Sequence, residues 1–148
     1  MPPPSVPNSP TCHCFALRQA ARFASALYDR HLAKANLTIS QFGIMTTIRA
    51  NPGIAIHELA ERQVMERTSL VRAIQPLKRE GWVAQLPAAD NPRKLLLSLT
   101  EAGARHYMQA YAHWLVAQQT FEARVGAQRA ATLSDTLLDM THDQPDPA

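Results

Sequence analysis

A chain of 148 residues fits one domain with room for a real core. Apolar residues at 46% and charged residues at 18% exclude an intrinsically disordered chain and describe a globular one. The net charge of +3 is too small to imply a nucleic-acid partner by its sum, but it is unevenly spread. Seven Lys or Arg residues lie from Arg62 to Lys94 against Glu66, Glu80 and Asp90, whereas residues 134–148 hold four Asp and no Lys or Arg. A basic middle beside an acidic end is a local footprint that phosphates can use.

Residues 1–11 hold five of the eleven prolines and read as a flexible arm. The start has neither the basic opening nor the apolar core of a signal peptide. No apolar run approaches the roughly 18 residues of a membrane span. No membrane partner is expected, and the cytoplasm is the expected location, where Cys12 and Cys14 stay reduced.

From Cys14 the pattern becomes helical, with Phe15, Ala16, Ala20, Phe23, Ala24, Leu27, Tyr28 and Leu32 in a broad apolar stripe that ends near residues 34–36. Thr38 and Gln41 have the spacing of a capping box, and Leu37 with Phe42 that of a hydrophobic staple. The second helix continues through Ile44, Met45 and Ile48 to the breaker Asn51-Pro52-Gly53. Ile54 and Ala55 suit a short strand.

Residues 56–83 read as two short amphipathic helices joined by a tight turn. Ile56, Leu59, Ala60 and Val64 share one face of the first; Leu70, Val71, Ile74 and Leu77 share one face of the second. Arg67, Thr68, Ser69, Arg72 and Arg79 occupy the opposite face. That pattern predicts a helix-turn-helix whose second helix reads the major groove. Gly81 ends that helix as a C-terminal glycine should. Pro76 inside it predicts either a kink or a different boundary, since an interior proline costs about 3 kcal/mol.

Residues 82–86 and 94–99 read as two strands with a polar tip between them, completing a winged helix. Asn91, Arg93 and Lys94 at the tip are placed to reach an adjacent minor groove or its phosphates. Thr100 caps a long helix over residues 101–123, with Ala104, Tyr107, Met108, Tyr111, Leu115 and Phe121 as its expected buried side. A last helix over residues 127–140 offers Leu133, Leu137, Leu138 and Met140.

In order and spacing these pieces resemble the MarR family of bacterial winged-helix regulators. Leu37-Thr38 with Gln41-Phe42, Leu59-Ala60-Glu61-Arg62, Arg67-Thr68-Ser69-Leu70-Val71-Arg72, Gly81-Trp82-Val83 and Leu97-Ser98-Leu99-Thr100 with Gly103 carry the resemblance. It implies a mainly α fold with a small β-wing: a winged helix-turn-helix domain over residues 37–100, a helical dimerisation region over 12–36 and 101–142, and a tail over 143–148. It implies a homodimer on a pseudo-palindromic operator, usually a repressor that an effector releases. Two departures stand out. The wing has Asn91-Pro92-Arg93 where relatives have Asp-x-Arg, with Asp90 one place earlier, and Gln63-Val64 replaces the usual Leu-Gly in the turn.

Side-chain type suggests the roles. Arg67 and Arg72 suit bidentate contacts to guanine, worth about 1–3 kcal/mol of discrimination each. Thr68 and Ser69 at the helix start suit phosphates or bases. Arg93 and Lys94 serve the wing, and Arg79 reads as a solvated charge.

Three sensing devices are open. Cys14-Phe15-Ala16-Leu17 resembles the opening of the organic-hydroperoxide-sensing branch of the family, where that cysteine is the reactive residue and the counterpart of Tyr28 engages it. Two further tyrosines of that branch are replaced by Arg18 and Phe42, although Arg18 one turn after Cys14 favours a thiolate. Cys12-His13-Cys14 also offers soft metal donors, which would make a metal-responsive regulator if further ligands came from elsewhere in the chain or from the partner subunit, although no resident cofactor is expected. Thirdly, Tyr28, Phe42, Met45, Arg18 and His31 suit a mixed apolar and cationic site for a small aromatic effector. A winged helix serving only as a protein-interaction module is the alternative to DNA binding. No enzyme is expected: His57-Glu58-Leu59-Ala60-Glu61 opens like a zinc-protease motif but lacks its second His, and no glycine-rich phosphate loop is present.

Overall fold

The apolar stripe from Phe15 to Leu32 forms one helix, α1 (His13–Leu32), in the computed structural model, which describes residues 12–142. The arm expected over residues 1–11 and the tail over 143–148 lie outside the described residues. A 3-10 turn (Ala33–Ala35) follows, and Asn36 closes it at φ 55°, a left-handed conformation its short amide tolerates.

The capping box at Thr38 starts α2 (Ile39–Ala50). Thr38 Oγ1 accepts from the Gln41 N–H at 3.2 Å, and Gln41 Oε1 accepts from the Thr38 N–H at 2.9 Å. Asp29 on α1 takes another free N–H of this helix start, accepting from Ile39 at 2.7 Å, so the cap also ties α1 to α2. Leu37 and Phe42, the expected staple, are both buried in one core.

Strand β1 (Ile54–Ala55) leads into α3 (Ile56–Arg62) and α4 (Arg67–Arg79), followed by β2 (Val83–Pro87) and β3 (Leu95–Leu99). The sheet is antiparallel in the order β1-β3-β2, with Ile54 opposite Leu97 and Val83 opposite Leu99. Helix α5 (Glu101–Val125) begins at Thr100, whose Oγ1 accepts from the Gly103 N–H at 2.9 Å. Helix α6 (Ala127–His142) completes the described chain. Leu59, Leu70, Ile74 and Leu77 from the helix pair meet Ile44, Met45 and Ile48 of α2 and Leu97 of β3, all at 0% exposure. Each such side chain contributes about 1.5–3 kcal/mol by leaving water.

Two expectations are corrected, for Val64 and for the buried side of the long helix. Val64 is not on the apolar face of α3: that helix stops at Arg62, and Val64 lies in the turn, 68% exposed at φ 51°. Pro76 does not move the boundary of α4. It sits in the last turn, where the Glu80 N–H still closes on its carbonyl at 3.0 Å.

The buried side of α5 is Gly103, Tyr107, Ala110 and Ala117, while Ala104, Met108 and Leu115 are exposed. Gly103 explains the rotation. A Cβ there would stand 2.0 Å from the Trp82 carbonyl oxygen, so α5 meets the wing root on the face that lacks a side chain. Finally, α6 buries only Ala130 within one chain; Leu133, Leu138 and Met140 remain 43–52% exposed. With Phe15 and Leu17 of α1 they form apolar surface that one chain leaves uncovered. Among the described residues, no helix is long and apolar enough to cross a membrane.

Candidate nucleic-acid interface and the adjoining cavity

Helix α4 is held from behind and open in front. Leu70, Ile74 and Leu77 fix it in the core, and the same 3.6-residue period turns Arg67, Thr68, Ser69 and Arg72 outward, all exposed. Glu66 at the N-cap makes no side-chain cap bond, so the first-turn N–H groups are not capped by a side chain.

The wing tip comes up beside this helix start. A groove of about 300 Å³ is lined by His57, Arg67, Asn91, Arg93 and Lys94, among others. The structure therefore brings Arg67 together with Arg93 and Lys94, while Thr68, Ser69 and Arg72 lie along the open face beyond that groove. The tip is an ordered turn. Asn91 Oδ1 accepts from the Arg93 N–H at 3.0 Å, and the Ala88 N–H donates to the Lys94 carbonyl at 2.8 Å. Asn91 thus organises the Arg93 backbone. Among the described residues, none of these four cations is ion-paired.

A second concavity lies behind the helix pair, between α2 and α5. It measures about 410 Å³, and its walls include Phe42, Thr46, Thr47, Gln63, Tyr107, Tyr111 and Trp114. Phe42 stacks on Tyr107 at 4.9 Å and on Trp114 at 5.9 Å, and Tyr111 stacks on Trp114 at 5.3 Å. Thr46 Oγ1 donates to the Phe42 carbonyl at 2.8 Å, so in its 3.1 Å contact with the Tyr107 hydroxyl the tyrosine is the donor. Arg49 lies over the Tyr107 ring at 5.3 Å. Flat aromatic walls with a few hydroxyls and an amide suit a small aromatic molecule.

The sensing residues named from sequence do not form one site. Phe42 lines the cavity, but Met45 is fully buried in the core and His31 lies outside the lining. Tyr28 instead donates to Gln118 Oε1, and its ring sits 6.1 Å from Phe121. Burial, and then the nearby Glu122 carboxylate, push its hydroxyl above the usual tyrosine range. Cys12, Cys14 and Arg18 are exposed at the start of α1. Fourteen residues of helix separate Cys14 from Tyr28 by about 21 Å, so within one chain the tyrosine does not engage the thiol. The cationic wall expected from Arg18 and His31 is likewise absent from the cavity. Among the described residues, no three metal-binding side chains gather, so Cys12, His13 and Cys14 form no metal site within one chain.

Sequence reading missed Thr46, Thr47, Gln63 and Trp114 as site residues and took Tyr107 and Tyr111 for packing. The available signal was the aromatic run Tyr107, Tyr111 and Trp114 at i, i+4 and i+7, one face of a helix.

A helix-turn-helix backed by a three-stranded wing, with a basic row along its second helix, defines a winged-helix protein. The family described as MarR matches residues 37–95. The homoprotocatechuate degradative operon repressor of Escherichia coli is 30% identical over 122 residues, covering 82% of each chain. Among solved structures, the Mycobacterium tuberculosis transcriptional regulator MosR in complex with DNA is 30% identical at a TM-score of 0.72, covering 88% of this chain and 98% of that one. NadR in complex with 4-hydroxyphenylacetate shares the fold at a TM-score of 0.74 and 22% identity, over 93% of this chain and 98% of that one. The chain belongs to the MarR family and is a winged helix-turn-helix transcriptional regulator.

Proposed function

We propose that this regulator is a cytoplasmic homodimeric repressor that holds a pseudo-palindromic operator and is released by a small aromatic effector. The observation that carries the reading is the row Arg67, Thr68, Ser69 and Arg72, exposed and unpaired beside Arg93 and Lys94 of the wing. Arg72, on the open face of α4, reads a base in the major groove, where its fork matches guanine O6 and N7. Arg67, at the groove shared with Arg93 and Lys94, takes a backbone phosphate instead, because three converging cations suit a charge more than a base edge. Thr68 and Ser69 present hydroxyls and helix-start N–H groups to the DNA strand.

Release is assigned to the aromatic cavity, which shares Gln63 with the turn between α3 and α4. The 30% identity to a repressor of an aromatic degradation operon supports both the repressor role and the effector class. A protein-docking role fits the exposed face of α4 less well, since interface centres are depleted of charge.

Selection of genomic fragments by the purified protein, followed by affinity measurement across salt concentrations, tests the reading. Each phosphate contact contributes about −0.9 to the slope of log K against log salt, so a slope of roughly −4 or steeper is expected for two winged domains. A slope near zero would exclude it.

A further inference from the structure

The Gln63-Val64 pair does a task that the DNA reading leaves unexplained. Gln63 is the C-cap of α3 and the first residue of the turn into α4. Its side chain leaves the turn and crosses to α2, where Nε2 donates to Thr47 Oγ1 at 2.8 Å. Thr47 passes its own proton to the Gly43 carbonyl at 3.1 Å. Gln63 Oε1 faces Gly43, 3.8 Å from where a Cβ would stand on that residue. Among the described residues this oxygen accepts no hydrogen bond, and no buried side-chain polar atom is left without a partner, so it is open to the cavity that Gln63 lines.

The neighbouring polar groups show what that oxygen awaits. The hydroxyl proton of Thr46 goes to the Phe42 carbonyl, that of Tyr107 to Thr46, and that of Thr47 to Gly43. The threonine edge of the cavity has therefore committed its hydroxyl protons and keeps an unused acceptor in Gln63 Oε1, while the Tyr111 hydroxyl and the Trp114 indole N–H on the aromatic walls make no hydrogen bond among the described residues. At Gln63 the cavity calls for a ligand that donates.

We propose that Gln63 recognises an aromatic effector through that effector's hydrogen-bond donor, a phenolic O–H or ring N–H, and passes its presence to the recognition helix. The proposal rests on the cavity being the effector site. The tether from Gln63 to Thr47 anchors the turn to α2, and the next residue, Val64, sits at φ 51°, a left-handed conformation that a β-branched side chain rarely adopts. A donor drawn to Oε1 reorients the same amide whose nitrogen holds Thr47. Loosening that tether lets the turn relax, and Arg67 lies only three residues beyond Val64.

Calorimetry with 4-hydroxyphenylacetate and its counterpart without the hydroxyl, phenylacetate, tests this, together with operator affinity in the presence of each. Wild type is expected to bind the phenol about fivefold tighter or better, the effect of one satisfied hydrogen bond, and to lose operator affinity with it. Gln63→Leu is expected to bind both compounds equally and, because it also cuts the tether, to show one weakened operator affinity that neither compound changes further. Thr47→Val leaves Oε1 in place but cuts the tether. It is expected to keep the preference for the phenol while showing, without any compound, the weakened operator affinity of phenol-bound wild type. A Gln63→Leu protein that retains both the preference and the release overturns the proposal while leaving the cavity as the effector site. If neither compound binds wild type, the cavity reading fails, and the role of Gln63 falls with it.

Discussion

Val64 concentrates at one residue a cost that the rest of the turn carries. A β-branched side chain at φ 51° is unfavourable by about 1–2 kcal/mol, and the turn keeps it there through bonds from the Val64 N–H to Glu61 and from the Met65 N–H to Ala60, at 3.0 and 2.9 Å. Val64→Gly removes the steric term but adds unfolded-state entropy, so a net gain of about 0.5–1 kcal/mol is expected in urea unfolding. A loss of stability would show that Val64 packs where it looks exposed. Tyr28 makes a second residue-scale case. Its hydroxyl is held above the usual range first by burial and then by Glu122, so the folded state binds that proton more tightly than the unfolded chain does. The sign follows: this contribution is complete below the unfolded tyrosine value of about 10 and is lost as pH rises through the raised folded value. Thermal melts are expected to show stability falling above about pH 10, with a shallower fall in Tyr28→Phe. Equal slopes would mean that another group carries the alkaline transition.

At the scale of the element, legibility depended on whether the determinants were local. The start of α2 could be read because a capping box and a staple both lie within six consecutive residues, and the faces of α4 could be read because its period is uninterrupted over thirteen. The orientation of α5 could not, because it is set by Gly103 against the Trp82 carbonyl, a contact between residues 21 apart whose only trace in the sequence is one glycine. His106 adds to that junction, stacking on Trp82 at 3.8 Å and bonding the Ala35 carbonyl at 2.7 Å. The aromatic cavity was legible only in part: Tyr107, Tyr111 and Trp114 share one face of α5, but α2 and the turn at Gln63 supply the rest from distant stretches of sequence. The face of α4 proposed to read DNA has a matching prediction. Arg72→Ala is expected to weaken binding to the selected operator by about ten- to a hundredfold and to relax preference at one base position, as for loss of a bidentate guanine contact. Equal loss on operator and random DNA would reassign Arg72 to a phosphate.

At the scale of the whole molecule, the surface that one chain leaves open makes the strongest statement. Phe15, at 68% exposure, and Leu17 on α1, with Leu133, Leu138 and Met140 on α6, lie at the two ends of the sequence, in the segments assigned from sequence to dimerisation. Large apolar side chains exposed on terminal helices are costly in water and are worth keeping only where something covers them. A second copy covers them most economically, because a two-fold interface makes one patch serve twice. Sedimentation equilibrium is therefore expected to give twice the 16.4 kDa of one chain. Leu138→Glu places a charge in that interface at the cost of burying it unpaired, and is expected to shift the protein to monomers. Because Leu138 is half-exposed in the single chain, each monomer should keep its helical circular dichroism. Operator affinity should fall by at least a hundredfold as the two half-sites lose their linkage, while affinity for a single half-site stays unchanged. A Leu138→Glu protein that remains dimeric would move the interface off α6, and one that unfolds would make α6 part of the core of each chain.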